Sequence, residues 1–190
     1  MKKAGIFLII LSVLTLVLCV CAAAESASKT LVAVFSATGN TRSVAEQIAS
    51  LTGADLYEIV PAEPYSASDL NYNDNDSRAN REQYSRDTRP EMTGIVENFD
   101  QYDTVFLGYP IWWGGAPRIM LTFAESHDFT GKTVIPFCTS GGSAIGSSAS
   151  EIEECAGAGE WLAGRRFSGS ATEQEIADWL ASLDLPAGNE

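Results

Sequence analysis

Leu31-Val32-Ala33-Val34-Phe35-Ser36-Ala37-Thr38-Gly39-Asn40-Thr41 is the stretch whose reading decides the fold of this chain. Its first five residues form a continuous apolar run of β-formers, the pattern of a strand buried on both faces of a parallel sheet. The next six switch to small, hydroxylated and amide side chains around one glycine. Val44, Ala45, Ile48, Ala49 and Leu51 then recur at helical spacing, and Gly53 stops the helix. A turn wedged between a buried strand and a helix start faces free helical N–H groups and the positive end of the helix dipole. Ser36, Thr38, Gly39, Asn40 and Thr41 therefore suit a doubly charged phosphate monoester, which backbone amides and hydroxyls hold without a lysine. An ordinary capped turn explains the same residues equally well. The loop matches neither G-x-G-x-x-G nor G-x-x-x-x-G-K-[ST], which weighs against a dinucleotide or a nucleoside triphosphate.

Outward from this stretch the signals keep alternating. Asp55 to Val60 reads as a second strand, nearer an edge because its pattern alternates, and Pro61 ends it. Pro64 to Arg89 is a long polar excursion with a helix predicted around Ser77 to Ser85. Asp103 to Tyr109 is a third strand, and Pro117 opens a helix running to about Glu125. Thr133 to Cys138 is a fourth strand, followed by a helix through Ile152 to about Cys155. Glu160 to Phe167 reads as a shorter fifth strand, and Thr172 to Leu183 as a closing helix begun by a Thr172–Glu175 capping box. Such alternation implies right-handed crossovers and a mostly parallel sheet with helices on both faces.

The chain has 190 residues, 45% apolar and 19% charged, and a formal charge of −13. Residues 1–24 read as a leader. Lys2 and Lys3 precede an apolar run from Ile6 to Val20, and Ala22-Ala23-Ala24 offers a small-residue cleavage site. Simple cleavage, lipidation at Cys19 or Cys21 and an uncleaved anchor all remain open, and each places the protein outside the cytoplasm, secreted or anchored at the envelope. Two of the twelve basic residues belong to the leader, so ten basic oppose twenty-five acidic residues in the rest, a net −15. That balance repels nucleic acid; it reads first as a solvated acidic surface, with attraction of basic partners as the alternative. Of the four cysteines only Cys138 and Cys155 lie outside the leader; a disulfide and two buried thiols are both open, the thiols favoured. With one histidine and no C-x-x-C, no zinc pattern exists.

Two further loops follow strand ends, the edge where open α/β sheets bind ligands. Tyr109-Pro110-Ile111-Trp112-Trp113-Gly114-Gly115 sets paired tryptophans between proline and glycine, a stacking platform for a flat ring rather than core. Thr139-Ser140-Gly141-Gly142-Ser143 is small and hydroxylated, fit to approach a ring edge. A Ser–His–Asp site using Ser143, His127 and Asp128 lacks the second glycine of a nucleophile elbow, and His127 reads as a surface helix-end residue. Arg78, Arg81, Arg86 and Arg89 read as pairing with nearby acids.

These three loops together resemble the flavodoxin family, in particular its bacterial branch with a paired-tryptophan loop and a polar insertion after the second strand. The resemblance covers Lys29 to Leu183. It implies a flavodoxin-like three-layer α/β sandwich over residues 29–185, with a five-stranded parallel sheet in the order 2-1-3-4-5, and one non-covalent FMN. It carries over Ser36, Thr38, Gly39, Asn40 and Thr41 as phosphate ligands. Pro110, Ile111, Trp112, Trp113 and Gly114 become ring contacts, with Thr139, Ser140, Gly141 and Gly142 on the other edge. The tyrosine that covers the outer flavin face in many flavodoxins has no clear counterpart. The expected function is electron transfer between redox partner proteins, with no catalytic residue and no metal. An NAD(P)H-dependent flavin or quinone reductase of the same fold, or a flavin-free envelope binding protein, are the alternatives. Stacked tryptophan and surrounding acidic charge predict a flavin potential below that of free FMN.

Overall fold

The computed structural model describes residues 28–183. The leader, with its cleavage, lipidation and anchor alternatives, and residues 184–185 of the expected domain lie outside them. Among the described residues no helix is long and apolar enough to cross a membrane.

The elements follow in the order β1 (Lys29–Val34), α1 (Asn40–Thr52), β2 (Asp55–Glu58), α2 (Arg78–Tyr84), a 3-10 turn (Phe99–Gln101), β3 (Tyr102–Pro110), α3 (Ile119–Glu125), β4 (Thr133–Thr139), α4 (Ser148–Ala156), β5 (Glu160–Trp161), β6 (Arg165–Phe167) and α5 (Glu173–Ser182). All strand pairings are parallel, and the sheet runs β2-β1-β3-β4-β5, with β6 also on β4. Order reverses between β1 and β3, so the crevice beyond their carboxyl ends is the topological switch point.

Alternation along the buried strands builds the three layers. Leu31, Ala33, Phe35, Val105, Leu107 and Tyr109 turn to one face and join Ile119, Met120 and Phe123 of α3 and Ile152 of α4. Val32, Val34, Phe106, Ile135 and Phe137 turn to the other, where Val44 and Ile48 of α1 and Ile176 and Trp179 of α5 cover them. Full burial of each large apolar side chain in these two layers contributes roughly 1.5–3 kcal/mol. The α5 capping box forms as its sequence implies, Thr172 accepting from the Glu175 amide and the Glu175 carboxylate accepting from the Thr172 amide.

The expected fifth strand, Glu160 to Phe167, is broken into β5 and β6. The cause lies in its neighbour. Val134 offers its carbonyl to Leu162, and Ser140 donates its amide to Phe167, so alternate residues of β4 face this edge. Pro136 is one of them and has no N–H to give. The ladder lapses opposite Pro136, and Gly164 there passes so close that a Cβ would stand 2.7 Å from the Pro136 carbonyl.

The polar excursion after β2 folds back on itself. Ala62 donates to the Glu91 carbonyl and Thr93 to that of Val60, closing its neck. Inside, Arg78 pairs with Glu82 (2.6 Å), and Arg89 grips Glu125 at the end of α3 (2.7 Å), so the arginine pairing expected of this segment is present at these two positions.

Candidate functional site

The helix tip comes first. Gly39 occupies the N-cap of α1 with φ 89°, a left-handed conformation that suits glycine, and no side chain caps the helix there. The first amide to find a carbonyl within the helix is that of Ser43, on Gly39 (3.0 Å). Helix geometry leaves the N–H groups of Asn40, Thr41 and Arg42 without such a partner. The first turn carries no acidic residue, in a chain with twenty-five of them. The Ser36 hydroxyl accepts from the Gly39 amide (3.1 Å) and draws the loop tight. Thr41 is buried, its hydroxyl 2.8 Å from that of Thr139, which fastens the helix tip to the end of β4.

A cavity of about 370 Å³ opens beside this tip, at the carboxyl edge of β1, β3 and β4. That volume lies within the roughly 300–1,000 Å³ typical of small-molecule sites. Ser36, Thr38, Asn40 and Thr41 line it from the first loop, Pro110, Ile111 and Trp112 from the second, and Thr139, Ser140 and Gly141 from the third. The three loops singled out in the sequence thus meet in one cavity. Four expected residues lie off its lining: Gly39, Trp113, Gly114 and Gly142.

The tryptophans divide their roles. Trp112, expected in a platform rather than the core, is only 6% exposed, and its ring stands edge-on to Phe35 (5.5 Å) and Tyr65 (5.1 Å). It belongs to the core and to the cavity wall together. Trp113 and Gly114 form the two central residues of a tight turn, closed by reciprocal bonds between Trp112 and Gly115 (2.9 Å each). Their φ values, 45° and 81°, are both left-handed, the signature of a type I′ hairpin turn. For so bulky a residue as Trp113 this conformation is strained. Its ring stacks on Tyr72, centroids 4.2 Å apart and planes inclined by 22°.

Tyr72 is a residue that sequence reasoning missed. It comes from the polar excursion and lines the cavity together with Leu70. Burial pushes the Tyr72 phenol upward from its ordinary pKa, so it is neutral at any physiological pH. The signal available was an aromatic residue stranded among Asn and Asp, too common a pattern to select. Arg166, Ser168 and Gly169, supplied by β6 and the turn after it, were also missed. The break in the fifth strand that sets their position depends on a proline in another strand.

Other candidates fall away from the cavity. His127 is half-buried rather than a free surface residue: its ring packs against Phe99 (4.6 Å) and Phe123 (4.2 Å), and it does not line the cavity. Its Nε2 accepts from the Val96 amide (3.1 Å) and its Nδ1 meets the Phe123 carbonyl (2.8 Å), which fixes the neutral tautomer protonated on Nδ1. Cys138 and Cys155 are both free thiols. Burial pushes the Cys138 thiol up to about 12, so it stays protonated. Among the described residues no group of His, Cys, Asp and Glu could hold a metal ion.

A doubly wound parallel sheet, with an uncapped helix tip and an aromatic wall facing one crevice at its switch point, defines the class of α/β proteins that hold a nucleotide at the carboxyl edge. The chain belongs to the flavodoxin family, whose family model matches residues 29–183. It is similar to the crystal structure of a candidate flavoprotein from Bacteroides eggerthii, with 45% identity and a TM-score of 0.78 over 84% of this chain and 99% of that one. A second, from Bacteroides uniformis, shares 42% identity at the same TM-score over 81% of this chain and 98% of that one. A flavoprotein from Lactobacillus acidophilus, solved in complex with FMN, has 24% identity and a TM-score of 0.62 over 81% of this chain and 99% of that one. No curated protein matches the chain.

The residues present fit FMN. The α1 tip and the hydroxyls of Ser36 and Thr38 offer donors for a phosphate, Trp112 and Tyr72 contribute aromatic rings to the lining, and the Thr139 to Gly141 loop contributes polar groups.

Proposed function

We propose that this chain binds one FMN in the cavity at the carboxyl edge of its sheet and carries electrons on it between redox proteins. The observation that carries the reading is that an uncapped, acid-free helix tip and an aromatic wall open into the same cavity. Family membership and the flavoprotein relatives from Bacteroides support it. The flavin supplies the redox chemistry when bound; the chain's own residues bind, orient and shield it. Ser36, Thr38, Gly39, Asn40 and Thr41 hold the phosphate through side chains and amides. Trp112 and Tyr72 flank the ring, Pro110, Ile111, Trp113 and Gly114 shape that wall, and Thr139, Ser140, Gly141 and Gly142 meet the other edge. The sequence contains no dinucleotide fingerprint, which favours a carrier over an NAD(P)H-dependent reductase. The leader favours export, so the partners are other envelope redox proteins, and the acidic balance favours basic ones.

Titration of the purified protein with FMN and with riboflavin tests this, following flavin absorbance and fluorescence. Charge-assisted hydrogen bonds to a phosphate contribute about 1.5–3 kcal/mol each. Two of them make FMN bind at least about a hundredfold more tightly than riboflavin. Equal affinities would remove the phosphate site, and a preparation that takes up neither compound would end the flavin reading.

A further inference from the structure

Among the residues lining the cavity, Arg166 alone carries a formal charge at neutral pH. It sits on β6, in register with Cys138 of β4. Its Nε donates to the Ser140 hydroxyl (3.1 Å) and its Nη2 to the Ser140 carbonyl (2.6 Å). The Ser140 hydroxyl in turn donates to the Ser143 carbonyl, so the guanidinium is braced on the third loop rather than free to swing. Four of the other seven arginines find acids, Arg42 with Glu46 and Glu58, Arg78 with Glu82, Arg89 with Glu125 and Arg118 with Glu151; Arg81, Arg86 and Arg165 make no ion pair among the described residues, but none of them lines the cavity. Among the described residues no carboxylate lies within ion-pair distance of Arg166. A fixed cation, bonded only to neutral groups and facing the cofactor cavity, lacks a counter-charge that the protein itself supplies.

An FMN brings two places where negative charge resides. Its phosphate is served by the α1 tip, on the first loop. Arg166 is bound to the third loop, beyond β4. The second place is the ring: two electrons and one proton delivered to the oxidised ring leave it with one net negative charge. The electrons come from a low-potential donor, a reduced redox protein or dithionite in vitro, and the proton comes from water.

We propose that Arg166 is the counter-charge for the reduced ring, and so raises the potential of the bound flavin against the pull of the acidic surface. This rests on the FMN reading above. It also modifies the expectation from net charge alone. Surface carboxylates act through water and salt that screen them over about 8–10 Å, whereas a cavity-lining cation acts across far less solvent. Arginine fits such a duty better than lysine, since it keeps its charge when desolvated and its planar fork is held by two bonds at once.

The test compares wild type, Arg166→Gln and Arg166→Lys, each titrated with FMN and riboflavin, with midpoint potentials read against a reference dye during anaerobic dithionite reduction. Circular dichroism confirms that each variant is folded. The expected result is that Arg166→Gln changes the affinity for oxidised FMN by less than about threefold. It lowers the preference for reduced over oxidised FMN by about tenfold, which is a potential about 30 mV more negative for a two-electron couple. Arg166→Lys keeps part of the difference. An unchanged potential in Arg166→Gln overturns the proposal. So does a loss confined to FMN affinity, with riboflavin affinity and potential unmoved, because Arg166 would then serve the phosphate. A wild type that binds no flavin overturns the FMN reading and this proposal with it, whereas a wild type that binds flavin with an Arg166-independent potential overturns only the proposal.

Discussion

Trp113 holds a left-handed φ of 45° at the centre of a turn where asparagine or glycine is usual. A side chain in this region costs about 1–2 kcal/mol. Its stack on Tyr72 returns about 0.5–1.5 kcal/mol, so the two effects nearly cancel. Trp113→Gly is therefore expected to shift the stability of the flavin-free protein by less than about 1 kcal/mol, read by urea denaturation, while weakening flavin uptake by unseating Tyr72. A large loss of stability would mean that Trp113 is a core residue after all. His127 gives a second prediction at this scale. Burial holds its folded pKa below the ordinary 6.5. The neutral form also accepts from Val96, a role the protonated ring cannot fill. A depressed folded value means that the unfolded chain takes up the proton first. Its stabilising contribution is complete above pH 6.5 and is lost as pH falls from there toward the folded pKa. Denaturation midpoints measured from pH 7.5 to 5 should fall in wild type and fall less in His127→Gln; parallel curves would rule the residue out. The sequence displayed the residues of the first loop openly, because hydroxyls and a glycine between a strand and a helix are a local signal. Trp112 and His127 were misplaced because burial is decided by partners distant in the chain, Phe35 and Tyr65 for one, Phe99 and Val96 for the other.

The elements themselves were largely legible. Helix α2 occupies Arg78–Tyr84 within the expected Ser77 to Ser85, and β3 extends the expected strand by one residue at each end. Continuous apolar runs and capping residues are local, so they survive without knowledge of the fold. What escaped was pairing. Pro136 was read as part of a strand, which it is, yet its missing donor breaks the strand beside it. Gly108 carries a similar non-local constraint: a Cβ there would stand 2.2 Å from the Phe137 ring on the adjacent strand. The ring is walled in by Phe106 and Trp179, the latter 6.4 Å away between centroids, and has little room to yield. Gly108→Ala is expected to cost about 1–3 kcal/mol by overpacking. Thermal denaturation checks this, and Phe137→Leu in the same chain should recover part of the loss by making room. Without that recovery, the close approach of β3 and β4 is not the cause.

At the scale of the whole molecule, the sequence gives away the three-layer order because strands and helices alternate without interruption, and alternation with right-handed crossovers admits few arrangements. It could not show which residues the excursion from Pro64 to Arg89 brings back to the cavity, since Tyr72 is positioned by the closure of that segment at Val60 and Thr93. The formal charge of −13 acts at this scale too. Long-range attraction between an acidic carrier and a basic partner speeds encounter and fades as salt shortens the Debye length from about 30 Å at 0.01 M to about 10 Å at 0.1 M. Stopped-flow reduction of an electron acceptor of basic surface should slow steadily as ionic strength rises over that range. A rate that is flat or rising with salt would show that the acidic surface does not guide docking.

The interruption opposite Pro136 also bears on how this molecule survives in company. An outer strand with a continuous row of free amides and carbonyls is a template on which a second chain can add itself, and stacks of such additions become aggregates. Here one margin of the sheet consists of two fragments, of two and three residues, separated by a break. The opposite margin, β2, is four residues long and begins and ends in carboxylates, Asp55 and Glu58. Neither offers a run long enough to recruit a stranger, so crowding many copies together should leave them separate.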